Sequence, residues 1–109
     1  MMEYRAKFNI GQVVSHRLFG FRGVIYDVDP QYASSEAWYE SIPTEIRPHK
    51  NQPFYHLLAQ NETGSYEAYV SEQNLIIDEN PIPVEHPGLV DYFDESLPGH
   101  YQLRNKLAH

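Results

Sequence analysis

The chain has no cysteine, few basic residues, and no long apolar run. Without cysteine there is no disulfide framework, no thiol nucleophile and no cysteine-based zinc site. No stretch approaches the ~20 apolar residues of a membrane helix. Met1-Met2-Glu3-Tyr4-Arg5 lacks the basic-then-apolar order of a secretory signal. The expectation is a cytoplasmic protein with no membrane partner. Lys and Arg number 8 against 15 Asp and Glu, for a net charge of −7. The deficit is uneven. Residues 1–30 carry +1, residues 31–103 carry −10 and residues 104–109 carry +2. Duplex DNA is held by lysines and arginines that displace its counterions. An acidic body of this kind is repelled unless its few bases share one face.

What the chain does have is 41% hydrophobic residues, 14% of the total aromatic, in 109 residues, which is enough for one modest core and argues against disorder. The first part reads as strands. Val13-Val14 opens a run to about Phe19. Gly20-Phe21-Arg22-Gly23 is a tight connection, and Val24 to Val28 is a second strand rich in β-branched and aromatic residues. Strict alternation puts Val24, Tyr26 and Val28 on one face, with Ile25, Asp27 and Asp29 on the other. Asp29-Pro30 ends the strand. An insertion over 31–52 follows, with a short helix from Ser34 to Glu40 that Pro43 and Pro48 keep short. Phe54–Ala59, Tyr66–Val70 and Asn74–Asp78 complete five short strands, with a turn at Asn61–Gly64. Five such strands predict a small, strongly bent antiparallel barrel, SH3-like and mainly β, over 1–78. Residues 79–109, punctuated by Pro81, Pro83, Pro87 and Pro98, read as a tail, partly laid on the barrel and partly mobile. Tyr101 to Leu107 reads as a marginal helix within it.

Several linked motifs carry a family resemblance. Phe8-x-Ile10-Gly11-Gln12-x-Val14-x-His16, Gly20-Phe21-x-Gly23-Val24 and Asp27-Val28-Asp29-Pro30 are followed by Pro53-x-Tyr55-His56 and by Ala68-Tyr69-Val70-Ser71-Glu72-Gln73-Asn74-Leu75. In order and spacing, over about residues 8–78, they resemble the HspQ family, also called the YccV-like or hemimethylated-DNA-binding domain. The resemblance implies a strongly bent antiparallel barrel, a cytoplasmic bacterial protein and no catalysis. It implies two kinds of partner. One is an ATP-dependent protease of the Lon or ClpAP type with its substrates, served by a heat-shock-linked adaptor. The other is hemimethylated DNA. Similar domains in larger chains tied to degradation, including F-box proteins, favour the first.

Individual residues are weighed against that background. Trp38 and Tyr39, in a long polar insertion, either pin it to the barrel or anchor a partner, and Phe19 and Phe21 beside the glycine turn carry the same alternatives. Exposed together, the four would form a patch for a protein partner or for homo-oligomer formation. For DNA, the candidate phosphate contacts are Arg5, Lys7, Arg17 and Arg22. Gly11, His16, Gly20, Gly23, Asp29, Pro30, Tyr55 and His56 belong to the matched motifs as structural positions. Gly20-x-x-Gly23 lies between strands, which suits a turn rather than a helix-flanked nucleic-acid clamp. His16 and His56 with Asp27 or Asp29 offer ligand types for a metal, but no H-x-H or H-x-x-x-H spacing joins the histidines. The reading is therefore of packed, hydrogen-bonded histidines, with no metal or other cofactor expected. No nucleophile elbow, phosphate loop or H-E-x-x-H motif is present, so no enzyme is expected.

Overall fold

The computed structural model describes residues 5–97 and 99–104. Its strands are β1 (Val13–His16), β2 (Arg22–Asp29), β3 (Phe54–Asn61), β4 (Gly64–Ser71), β5 (Leu75–Ile77), β6 (Phe93–Leu97) and β7 (His100–Leu103). The short helices are α1 (Glu36–Ser41) and α2 (Leu89–Tyr92). The first five strands form one antiparallel sheet in the order β4-β3-β2-β1-β5. Among the described residues this sheet is open, with β4 and β5 at its edges, so the closed barrel expected from the sequence is not formed. The mainly-β, five-stranded antiparallel part of that expectation is present.

Two cores flank the sheet, because alternate residues point to opposite faces. One holds Val14, Ile25, Tyr55, Leu57, Ala59, Val70 and Leu75, with Phe8 from the N-terminal segment. The other holds Val13, Val24 and Leu58, covered by Val84, Phe93 and Tyr101. The stretch from 79 onward thus supplies half of a core. Tyr101 lies in β7, not in a helix, because Tyr101 N–H donates to the Gly11 carbonyl at 2.6 Å and its phenol bonds Val84. The remainder of that expected helix, from Asn105, lies outside the described residues.

The strict alternation expected along β2 fails at one place. The pairing with β3 shifts register between Ile25 and Asp27. A bulge adds one residue and moves every later side chain to the other face. Val28 therefore packs with Ile25 against the first core, while Tyr26 packs with Val24 against the second. Gly23 sits inside β2, where a Cβ would meet the Leu58 carbonyl at 3.0 Å and the Leu57 Cβ at 3.1 Å.

Candidate functional site

The concave feature of interest is a groove of about 540 Å³ along the edge strand β4. One wall is the loop after β1, with Leu18, Phe19 and Phe21, and the other is the insertion, with Trp38, Ile42 and Ile46. Its floor includes Tyr66, Glu67, Ala68, Tyr69 and Val70. Consecutive strand residues point to opposite faces. A groove lined by five in a row therefore opens onto the strand's edge.

Local chemistry sets each wall. Phe19 is 67% exposed, and its ring stacks on His16 at 4.5 Å. His16 is itself buried, and its Nδ1 accepts the N–H groups of Leu18 and Phe19, both at 3.1 Å. Burial, with the nearby Arg17 charge, holds the ring's pKa below its ordinary value and keeps it neutral, the form able to accept. Phe21 packs into the first core and against Tyr66. In the insertion, the Ser35 hydroxyl accepts Trp38 N–H as the N-cap of α1. Trp38 stacks on Tyr32 and meets Tyr69 edge-on, leaving it 40% exposed.

Phe19, Phe21 and Trp38 line the groove. Tyr39 does not. Its phenol donates to the Pro48 carbonyl at 2.7 Å, and Arg47 and Lys50 lie over its ring, so it pins the insertion to itself. Tyr66, Tyr69, Ile42 and Ile46 were not singled out from the sequence. The signal available for the tyrosines was their odd spacing, which puts one on each face of β4. The isoleucines lie four apart in an otherwise polar insertion.

The bases are dispersed. Arg22 Nε donates to Asp78 Oδ2 at 2.8 Å and Nη2 to the Asn80 carbonyl at 3.2 Å, with the side chains only 15% and 6% exposed. Burial alone would raise the Asp78 pKa. Hydrogen bonds from Arg22, Asn80 N–H and Ser15 outweigh it and hold the carboxyl below its ordinary value. Arg17 Nε donates to the Gln73 carbonyl, and the backbone N–H of Lys7 donates to Glu72, so these two approach one turn, while Arg5 is exposed. Arg22 thus enters a part-buried ion pair with Asp78.

The two histidines are separated as well. His16 is beside Phe19 and Phe21, while the ligand atoms of His56, Asp27 and Asp29 lie within 4.8 Å of one another. Asp29 Oδ2 accepts the Tyr69 phenol at 2.7 Å and lies 3.0 Å from His56 Nε2. Burial, then the bond to Asp29, raises the Tyr69 pKa and keeps the phenol a donor. The β2 bulge creates this cluster by setting Asp27 opposite His56. Among the described residues these three form the one cluster with ligand types for a cation, and the bonds of Asp29 tie the end of β2 to β3 and β4.

Known proteins share this architecture's sequence. A family model described as hemimethylated DNA-binding protein YccV like matches residues 6–100. F-box only protein 21 of Mus musculus is 34% identical over 95 residues, covering 86% of this chain and 15% of the relative. The Homo sapiens and Pongo abelii proteins of the same name are 33% identical over the same length. The chain thus spans about 15% of the curated relatives it matches. On the match over residues 6–100, the chain belongs to the YccV-like hemimethylated-DNA-binding domain family.

Proposed function

We propose that this domain is a non-enzymatic protein-binding module that serves protein turnover, as a heat-shock-linked adaptor or enhancer of an ATP-dependent protease of the Lon or ClpAP type. The observation that carries the reading is the aromatic groove, with Phe19 mostly exposed on one wall and Trp38 partly exposed on the other. Exposed aromatics rimming a concavity are the usual anchors of a protein interface. The recurrence of the domain within F-box proteins supports an interaction module. The acidic balance and the occupation of Arg22 by Asp78 favour protein over nucleic acid. The test is a reconstituted protease degrading an unfolded model substrate with and without this protein. Phe19→Ala and Trp38→Ala are expected to weaken the stimulation by about 30-fold in effective affinity, the scale of an interface hot spot. Trp38→Ala is expected to cost about 2 kcal/mol of stability, from the ring pairs with Tyr32 and Tyr69 and the apolar surface they cover. Undiminished stimulation by both variants contradicts the reading.

A second reading, binding of hemimethylated duplex DNA, is favoured by the description of the matching family. Of the four candidate bases, Arg5, Lys7 and Arg17 are left for phosphates, and three such contacts give a salt slope of about −2.7. Fluorescence anisotropy at roughly 50 and 200 mM salt, with hemimethylated, fully methylated and unmethylated duplexes, tests it. Methylation-selective binding at the higher salt establishes that reading, and weak, methylation-blind binding removes it.

A further inference from the structure

We infer that the groove takes an extended peptide as a sixth strand added to the open edge of β4, a peptide whose apolar side chains alternate with basic ones. The inference rests on the protein-binding reading of the same groove and specifies its ligand. The edge comes first. β4 pairs with β3 on one side only, and no other backbone hydrogen bond to residues 65–70 occurs among the described residues. Alternate N–H and C=O groups of an edge strand point away from its neighbour, ready to pair with an added chain. Soluble proteins usually blunt such an edge with proline, lysine or a bulge. Gly64–Ser71 has none of these, and its pairing with β3 runs without a register shift. The first residues of β4 are already covered, since Ser65 Oγ donates to the Glu85 carbonyl and His86 Nε2 lies 3.1 Å from the Tyr66 carbonyl. From Glu67 to Tyr69 the strand is exposed or half-buried where it borders the groove, and Val70 and Ser71 are buried at its inner end.

The walls then set the side chains of the occupant. A strand laid beside β4 sends alternate side chains to opposite faces. On one side they meet Phe19 and Phe21, on the other Trp38 and Tyr69. The charge sets the rest. Among the described residues Glu67 is the one carboxylate lining the groove and no lysine or arginine lines it, and Asp27 and Asp29 stand close by around His56. An acidic peptide is repelled there and a basic one is drawn in. Main-chain bonds supply affinity and the aromatic walls supply selection, as in strand-addition modules.

The probe is an eight-residue fluorescent peptide alternating valine and lysine. It is compared with the same peptide N-methylated at every second amide, which keeps charge and side chains but cannot complete a ladder. The inference predicts saturable binding of the first, at least tenfold weaker binding of the second, and slowed hydrogen exchange at alternate amides between residues 67 and 71. Glu67→Lys removes the groove's carboxylate together with its bond from the Tyr26 phenol and is expected to weaken the first peptide at least fivefold, with Glu67→Gln, which keeps an acceptor for Tyr26, weakening it in the same direction. Equal affinity of the two peptides overturns strand addition while leaving the groove a protein-binding site. Binding of neither, with an unfolded polypeptide still captured, overturns the inference alone. Loss of both overturns the groove reading as well. Protection of β4 amides that grows with protein concentration in the absence of peptide assigns the edge to a second copy of the chain and also overturns the inference.

Discussion

Asp78 shows at the scale of single residues how this fold uses charge. Its carboxylate is nearly buried and takes hydrogen bonds from Arg22, Ser15 and the Asn80 backbone. Asp78→Asn leaves the half-buried Arg22 guanidinium without its anion, a defect expected to cost about 2 kcal/mol. The folded carboxyl titrates below its ordinary value of 3.8, so this stabilisation is complete at neutral pH and is lost as pH falls through the lower folded value. Urea melts from pH 7 down to about 2 should show that acid loss in the parent protein and a flatter profile in Asp78→Asn. Parallel profiles contradict the assignment. None of this was legible in the sequence. Arg22 and Asp78 are 56 residues apart, and no local pattern reports which distant acid a base will meet. Trp38, by contrast, stood out as the single tryptophan in a polar insertion, and the structure places it on a wall of the groove. Tyr39, next to it in the chain, turns instead to the Pro48 carbonyl. Adjacent residues on a short helix face different ways, which composition does not reveal.

Two elements of the fold each depend on one close contact. The loop after β1 is folded around the neutral His16 ring, whose Nδ1 holds Leu18 and Phe19. The folded pKa is below the ordinary 6.5, so the ring's contribution is full above that value and is lost as pH falls through the lower folded value. A proton on Nδ1 faces two N–H donors and releases the loop. As pH falls below 6.5, protection of the Leu18 and Phe19 amides, with the pH dependence of intrinsic exchange divided out, is expected to fall while β3 stays protected. Unchanged protection contradicts the role of the ring. The second element is the β6–β7 hairpin, docked where Gly11, at φ +93°, brings its backbone against Tyr101. A side chain there would overlap the Tyr101 carbonyl. Gly11→Ala is expected to cost about 2 to 3 kcal/mol through steric overlap and left-handed backbone strain. It should also make the segment after Gly88 sensitive to protease. Intact protection from protease contradicts the docking. Strands β1 to β5 were readable because β-branched and aromatic residues gather in short runs bounded by turn residues. The bulge in β2 was not, since one extra residue leaves composition unchanged and only its pairing with β3 displays it. The hairpin was hidden because its prolines and short apolar runs read as a tail, while its stability comes from Val13, Val24 and Leu58 on a distant sheet.

For the whole molecule, the opposition is between an acidic surface and an aromatic groove. A net charge of −7 disfavours a polyanion, and the open edge with its apolar walls favours a polypeptide. That a domain of this family also stands within F-box proteins more than six times its length fits a transferable recognition unit. Trp38 makes the central claim directly measurable, because it is the single tryptophan and it lines the groove. Its emission should be followed while the protein is titrated with a reduced, alkylated polypeptide that lacks tryptophan, and separately with a hemimethylated duplex. The account predicts a saturable blue shift with the polypeptide, abolished by Phe19→Ala, and no selective response to the duplex. An emission unmoved by the polypeptide, together with methylation-selective binding of the duplex, would contradict it.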